Sequence, residues 1–198
     1  MSLNSTDQPE WINECNLAMK THADVQNEVE VANGCSGIER DLVHLESQKS
    51  LAYVFRHALR IPGYQRGYCW GEIQVKDLME SLWAADKNKP FHLGTVIIHC
   101  HPDCNGNPQW DVVDGQQRLI TLALLIQVIQ PPDRDVFPFL RDNQTTDADV
   151  QIRLGANFST IKEWLASHPL NEAERENFLG WLLAADGVKE RGVRIVIG

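Results

Sequence analysis

The chain has 198 residues and a formal net charge of −9, and it is long enough for one domain with a hydrophobic core. The acidic excess excludes a broad basic surface that binds nucleic acid without specificity, so any contact with a polyanion must be local. No apolar run reaches the length that spans a bilayer, and the five cysteines are scattered without a secretory leader, so we expect a cytoplasmic protein with reduced thiols and no membrane contact.

Residues 1–46 are predicted to be an acidic N-terminal extension outside the main domain. Residues 1–50 contain nine acidic and three basic residues, whereas residues 51–130 contain seven of each. Weak apolar periodicity indicates a helix over Trp11–Lys20, and a clearer pattern indicates a second helix over about Ile38–Phe55. Neither segment contains a catalytic or metal-binding pattern.

The stretch Leu59–Trp70 places polar-tipped aromatic residues around an arginine. Pro62 and Gly63 interrupt any helix, so a short extended segment should end near Ile61. The residues that define the pattern are Tyr64, Gln65, Arg66, Tyr68 and Trp70. One interpretation is a loop pinned onto the core by its aromatic rings. The other is a surface that recognises a ring together with an anion, and the sequence alone does not decide between them.

The pattern from residue 73 to residue 113 predicts a helix followed by two paired strands. Apolar spacing indicates a helix over Ile73–Ala85, and β-branched residues indicate a buried strand over His92–Ile98. Turn-forming residues from Pro102 to Pro108 indicate a hairpin loop that leads into a strand over Asp111–Val113. Two histidines and two cysteines near this loop have the donor atoms of a zinc site, namely His99, Cys100, His101 and Cys104. No second ligand pair with finger-like spacing follows, so we expect no zinc.

A sharp turn after this strand leads into the most apolar helix of the chain, which should extend to Ile129 and be buried on most sides. Asp114 suits the N-cap, and Gln117 three residues later would complete a capping box. Arg118 lies in the first turn, where the helix dipole disfavours a cation, so it needs an anion nearby. That anion is either Asp114 or a phosphate held by the free N–H groups of the helix start, where Gly115 leaves room for a ligand.

The remaining sequence predicts two helices and a final strand. Apolar spacing indicates helices over about Asp149–Ser167 and Asn171–Ala185. Val193–Ile197 is β-branched and reads as a short strand. A strand at the very end of a chain suggests that a further element is meant to follow it.

Three stretches together resemble the N-terminal domain of GmrSD-type restriction endonucleases, namely Ile61–Trp70, Leu93–Gly94 and Val113–Leu122. The first reads IPGYQRGYCW and the last contains DGQQR, and this pair of motifs in this order is highly specific. The resemblance covers roughly residues 47–198, with a weaker match over Asn157–Leu165, and it excludes residues 1–46.

The resemblance implies a mixed α/β fold similar to ParB and sulfiredoxin, in which a small sheet with packed helices binds nucleotide at a strand-to-helix turn. Members of the family couple NTP binding or hydrolysis to restriction of modified foreign DNA. The HNH nuclease domain that usually accompanies them has no motif in this chain, so we expect an HNH domain or subunit in trans and no DNA cleavage by this chain alone. The family pattern also continues past the last strand, whereas this sequence stops at Gly198, which predicts a domain without its C-terminal part.

Transferred by position, the family's nucleotide-phosphate motif corresponds to five consecutive residues, Asp114, Gly115, Gln116, Gln117 and Arg118. The predicted catalytic residues are Asp114, Gln117 and Arg118. The predicted nucleotide contacts are Gly115, Gln116, Arg118, Tyr64, Gln65 and Arg66, and the predicted DNA contacts are Arg66, Tyr68 and Trp70. The Asp114 carboxylate would repel a phosphate unless Mg²⁺ bridges the two, so the expected cofactors are an NTP and Mg²⁺ bound by Asp114.

Three functions remain open at this point. The first is an NTP-binding regulatory domain of a restriction or defence system that acts on modified foreign DNA. The second is a DNA-sensing module of the same fold that has no NTPase activity. The third is a scaffold that engages only protein partners.

Overall fold

A curled five-stranded sheet organises the computed structural model, which describes residues 48–102, 108–130, 137–184 and 192–197. The strands are β1 (Lys49–Ser50), β2 (Leu59–Arg60), β3 (Pro90–Pro102), β4 (Pro108–Asp114) and β5 (Gly192–Ile197). They lie in the order β1-β5-β3-β4-β2. β5 is antiparallel to β1 and parallel to β3, while β4 is antiparallel to β3 and parallel to β2. The predicted mixed α/β fold is therefore confirmed.

Six helices complete the described part of the chain: α1 (Leu51–Arg56), α2 (Glu72–Ala84), α3 (Gln116–Ile129), α4 (Pro138–Asp142), α5 (Ala148–Ser167) and α6 (Glu172–Leu182). The predictions for α2, α3 and α5 are confirmed to within two residues at either end. α6 ends three residues earlier than predicted. None of the helices in the described ranges is long and apolar enough to cross a bilayer.

The predicted helix over Ile38–Phe55 is wrong where the structure describes it. Lys49 and Ser50 form β1 instead, because they pair with Ile195 and Arg194 of β5. The Ser50 side chain then accepts a hydrogen bond from the backbone N–H of Tyr53 at 3.0 Å and caps α1. The earlier part of that prediction and the predicted helix over Trp11–Lys20 lie outside the described residues.

The middle of α3 is the centre of the hydrophobic core, as predicted. Its side chains at Leu119, Leu122, Leu125 and Ile126 are fully buried. α3 contacts α4, α5 and α6. Burial of each such side chain contributes about 1.5–3 kcal/mol to folding stability. This packing therefore holds α3, and with it the start of the helix, in position.

Two glycines with positive φ bend the backbone beside the start of α3. Gly94 (φ 103°) lies in β3, where the pairing with β5 shifts register between His92 and Thr95. Gly115 (φ 86°) connects β4 to α3. Because only glycine adopts this region without strain, each marks a turn that another residue would disturb.

Candidate functional site

The start of α3 has no side-chain cap. The helix begins at Gln116 and its N-cap residue is Gly115 in the left-handed conformation, so the predicted capping box of Asp114 with Gln117 is wrong. The extra glycine makes Gln117 the second helical residue, one position too early for the reciprocal bond of a capping box. Asp114 ends β4 with an exposed side chain, and its carboxylate accepts no hydrogen bond from the described residues.

The first N–H groups of α3 are consequently open. The first helical hydrogen bond runs from Leu119 N–H to the carbonyl of Gly115 at 3.2 Å. Within the described part of the chain, the backbone N–H groups of Gln116, Gln117 and Arg118 meet no acceptor. Unpaired N–H groups at a helix start are the feature that binds anions in proteins.

The space above Gly115 is not open to a ligand, contrary to the sequence-based expectation. A Cβ at this position would lie 2.8 Å from Cγ2 of Val96 on β3. The glycine therefore serves close packing of the turn against β3 together with its positive φ. A ligand at the start of α3 has to approach from the side of the open N–H groups.

The Arg118 side chain reaches back over β3. Its Nη1 donates to the carbonyls of Leu93 at 3.4 Å and Thr95 at 3.2 Å. Gly94 makes this contact sterically possible, because a Cβ there would lie 2.9 Å from Nη1. Among the described residues Arg118 forms no ion pair with Asp114 or any other carboxylate, and its Nε and Nη2 donate to no acceptor. The half-buried guanidinium is thus oriented by carbonyls, and two of its donor nitrogens have no acceptor among the described residues.

Residues 61–71, which we name the aromatic loop, lie directly against the start of α3. Gln117 binds the loop backbone in three places, since its Oε1 accepts from Cys69 N–H at 2.8 Å and Trp70 N–H at 3.3 Å, and its Nε2 donates to the carbonyl of Gly67 at 3.3 Å. Gln65 donates from Nε2 to the carbonyl of Val113 at 2.9 Å. The two motifs that the sequence separates by about fifty residues therefore meet in one place.

Gln116 makes the remaining contact between the helix start and the loop. Its Nε2 donates to the carbonyl of Arg66 at 2.6 Å, while the residue as a whole is only 5% exposed. Its Oε1 is buried and has no hydrogen-bond partner in the described structure. Such an acceptor is costly to leave unpaired, which marks the contact as strained or incomplete.

The aromatic loop divides into an inward and an outward half. Tyr68 is 3% exposed and its hydroxyl lies inside the fold, so burial raises the pKa of Tyr68 and its ring is not available for stacking. Trp70 is half-buried. Tyr64, in contrast, is 73% exposed, and the exposed Arg66 side chain makes no hydrogen bond or ion pair among the described residues. Tyr68 therefore pins the loop onto the core. Of the predicted recognition residues, Tyr64 and Arg66 are exposed and can contact a ligand.

A second polar cluster, which sequence reasoning missed, joins three strands. Asp111 of β4 accepts a forked pair of bonds from Arg60 of β2, with Nε to Oδ1 and Nη2 to Oδ2 both at 2.8 Å. His101 of β3 lies 3.0 Å from Oδ2, and Gln109 donates to Oδ1 at 3.2 Å. The Arg60 bonds hold the pKa of the almost fully buried Asp111 carboxyl well below its ordinary value, and the Asp111 contact raises the pKa of His101. Strand alternation places these side chains on one face of the sheet. The sequence does not predict the cluster, because it does not show which strands are neighbours.

The three zinc-ligand candidates that the structure describes do not form a metal site. His101 is bound to Asp111, and Cys100 lies opposite Trp110 on the neighbouring strand. His99 stacks on His101 with ring centroids 5.1 Å apart. No group of three or more potential ligands occurs in the described ranges, and Cys104 lies outside them.

Comparison with known proteins bears on the two motifs that meet at α3. A search of curated proteins finds no match to the chain. The model of the family described as "GmrSD restriction endonuclease, N-terminal domain" matches residues 42–185, a range that includes the aromatic loop, the turn at Gly115 and all six helices. Because this match covers most of the sequence, the chain belongs to the family of GmrSD restriction endonuclease N-terminal domains and is a component of a restriction system.

Proposed function

We propose that this chain is an NTP-binding regulatory domain of a restriction system that acts on modified foreign DNA. The observation that carries the proposal is the uncapped start of α3 beside a guanidinium without a carboxylate partner. Both features favour an anion near the start of α3, because Arg118 belongs to its first turn. The triphosphate of a nucleotide is the anion that best fits a family component in which NTP binding or hydrolysis controls restriction.

The phosphate contacts follow from the groups that are left open. The backbone N–H groups of Gln116, Gln117 and Arg118 supply donors at the positive end of the helix dipole. Arg118 adds Nε and Nη2, since Nη1 is occupied by the carbonyls of β3. In this proposal Gln117 positions the aromatic loop, because its side-chain amide is already bonded on both atoms.

Asp114 decides whether the site needs a metal ion. Its exposed carboxylate lies two residues before the open N–H groups, where its charge repels a phosphate. Mg²⁺ bound between the carboxylate and the phosphate oxygens removes this repulsion, and Mg²⁺ is commonly held by one or two carboxylates together with substrate phosphates. NTP binding should therefore depend on Mg²⁺.

A second candidate function is DNA sensing by the outward half of the aromatic loop. Tyr64 is exposed at 73%, and Arg66 next to it is an exposed guanidinium, so the pair offers a stacking face and a phosphate contact. Binding of this kind would weaken as salt rises, because phosphate contacts release counterions. Binding to duplex DNA that Tyr64→Ala or Arg66→Ala weakens, without any effect of Arg118→Ala, would favour this candidate.

A thermal-shift panel of ATP, GTP, CTP and UTP, with and without Mg²⁺, tests the main proposal. A nucleotide at about 100 times its Kd stabilises the protein by about 2.7 kcal/mol, and this should raise Tm by several degrees. Arg118→Ala should abolish the shift while changing the Tm of the free protein by only a few degrees. Arg118→Lys should restore it partly, since an ammonium is a point charge without the fork of a guanidinium.

Arg175→Ala is the matched control, because Arg175 is an exposed arginine on α6 far along the chain from the site. It removes the same charge and should leave the nucleotide shift unchanged. No shift with any of the four nucleotides, or an equal shift in Arg118→Ala and the parent, would contradict the proposal. Loss of folding in Arg118→Ala would show that Arg118 has a structural role, and a nucleotide shift in Arg118→Lys equal to the parent's would then contradict the proposal.

A further inference from the structure

A chain of buried polar groups joins α5 to the aromatic loop and to α3. Asn157 of α5 donates from Nδ2 to the Tyr68 hydroxyl at 3.0 Å, and that hydroxyl lies 2.8 Å from Oγ1 of Thr121. Thr121 in turn donates to the backbone carbonyl of Gln117 at 2.9 Å. Asn157, only 2% exposed, is the one buried polar side chain of α5 in the described structure.

The hydrogen bonds along this path all donate in one direction, from Asn157 to the carbonyl of Gln117. The Thr121 hydroxyl donates its hydrogen to the carbonyl of Gln117. At the Tyr68–Thr121 contact the Tyr68 hydroxyl is therefore the donor. Tyr68 then receives the N–H of Asn157, which is always a donor. Every hydroxyl in the path therefore both donates and accepts, and all members of the path are buried.

Asn157 also binds the loop backbone directly. Its Nδ2 donates to the carbonyl of Trp70 at 2.8 Å, while Gln117 Oε1 accepts from the N–H of the same residue at 3.3 Å. Trp70 is thus held from α5 on one side and from α3 on the other. Removing Asn157 would break its hydrogen bonds between α5 and the loop, while Val150 of α5 still packs beside Gly67 and the start of α3 loses no group.

We propose that Asn157 is a positioning residue through which α5 sets the conformation of the aromatic loop and, with it, the affinity of the nucleotide site. The effect on affinity rests on the proposed function, whereas the effect on the loop does not. A displacement of α5 by another part of the restriction system would reach the site through these bonds. The site would then be regulated from a helix that does not itself contact nucleotide.

The test compares Asn157→Leu with Trp164→Phe. Asn157→Leu keeps a side chain of similar size and removes both N–H donors without burying a charge. Trp164→Phe is the matched control, since it removes a hydrogen bond nearer the C-terminal end of α5, from Nε1 to Oε1 of Glu80 on α2 at 2.7 Å. Amide hydrogen exchange at Cys69 and Trp70 is measured in each variant, together with the Kd for the NTP and Mg²⁺.

In Asn157→Leu, exchange at Cys69 and Trp70 should be about tenfold faster than in the parent, because loss of one or two buried hydrogen bonds lowers the local opening energy by that order. Exchange within α2 should not change. The Kd should rise about tenfold by the same reasoning. Trp164→Phe should leave both the loop exchange and the Kd at the parent's values.

Tyr68→Phe is a second variant, which keeps the buried ring and breaks the path between Asn157 and Thr121. It should also raise exchange at Cys69 and Trp70. Unchanged loop exchange in both variants, or a uniform rise across the whole chain in both, overturns the proposal. Faster loop exchange in a protein whose parent binds none of the nucleotides supports the positioning role and refutes the proposed function instead.

Discussion

Arg60 lies beside the middle of β4 and Arg118 lies just beyond its C-terminal end, and their guanidinium groups are engaged in different ways. Arg60 makes a forked ion pair with the buried carboxylate of Asp111, with both N–O distances at 2.8 Å. Arg118 has only the carbonyls of Leu93 and Thr95, which carry a dipole and no net charge. Pairing with a carboxylate uses the charge of Arg60, while the charge of Arg118 remains available.

The difference separates a structural arginine from a candidate binding arginine. A guanidinium that faces a buried carboxylate in fork geometry fixes two strands relative to each other, because breaking the pair leaves a buried charge. A guanidinium held only by carbonyls is oriented but not neutralised, and it can bind an anion without first losing an ion pair. The sequence singles out Arg118 by its place in the first turn of α3, and the structure adds that Arg60, unlike Arg118, is paired with a carboxylate.

The largest expected effect is on the helix that holds Arg118 in place. Leu122→Ala should lower the free energy of unfolding by about 2–5 kcal/mol, since Leu122 is fully buried and the truncation leaves a cavity. Urea denaturation followed by circular dichroism measures the loss. Ile152→Ala is the control, because Ile152 is 71% exposed and should change stability by less than roughly 0.5 kcal/mol. Equal effects of the two substitutions would refute the central position of α3.

A smaller loss is expected when the two aspartates of β4 are compared. Asp111→Asn removes the charge that Arg60 and His101 face, so stability should fall, though by less than in Leu122→Ala because Arg60 is half-exposed and can be solvated. Asp114→Asn should leave stability within roughly 0.5 kcal/mol, since the exposed Asp114 caps nothing. If Asp114→Asn is the more destabilising of the two, the carboxylate of Asp114 has a structural role in the folded protein, contrary to its lack of a capping bond.

Local sequence patterns predict where helices and motifs lie more accurately than they predict the contacts between them. The apolar run of α3 and the spacing of α5 depend only on neighbours in the chain, and both helices lie where the periodicity placed them. The predicted cap at Asp114 is wrong because the positive φ of Gly115 moves the helix start by one residue. β1 was missed because Ser50 pairs with a strand more than one hundred residues later.

The candidate site was predicted in part for the same reason. The sequence analysis assigns residues of the DGQQR and IPGYQRGYCW motifs to one nucleotide site, and the bonds of Gln116 and Gln117 bring the two motifs together. The buried position of Tyr68 could not be read from its sequence neighbours, because Asn157 lies 89 residues away. The Arg60–Asp111 pair likewise requires the parallel pairing of β2 with β4, which no short motif encodes.

The smallest expected effect is a pH dependence that belongs to the Arg60 region and not to the Arg118 region. Both ring nitrogens of His101 face acceptors, with Nε2 at 3.0 Å from Oδ2 of Asp111 and Nδ1 at 3.2 Å from the carbonyl of Pro102. Only the doubly protonated ring donates to both, and this agrees with a pKa of His101 that the Asp111 contact raises above its ordinary value of 6.5. Arg60 acts against this rise, because it is a second positive charge near the ring.

The sign of the pH effect follows from that raised pKa. A group whose pKa is higher in the folded state adds stability that is fully present below its unfolded pKa and is lost as the pH rises through its folded pKa. The free energy of unfolding should therefore fall as the pH rises from about 6.5 through the folded pKa of His101, and His101→Gln should remove this part of the slope. His92→Gln, at an exposed position of the same strand, should retain it. The prediction is refuted if stability depends on pH equally in His101→Gln and the parent, and NMR gives His101 a pKa at or below 6.5. His101 would then not be held as an imidazolium, and only Arg60 would form an ion pair with Asp111.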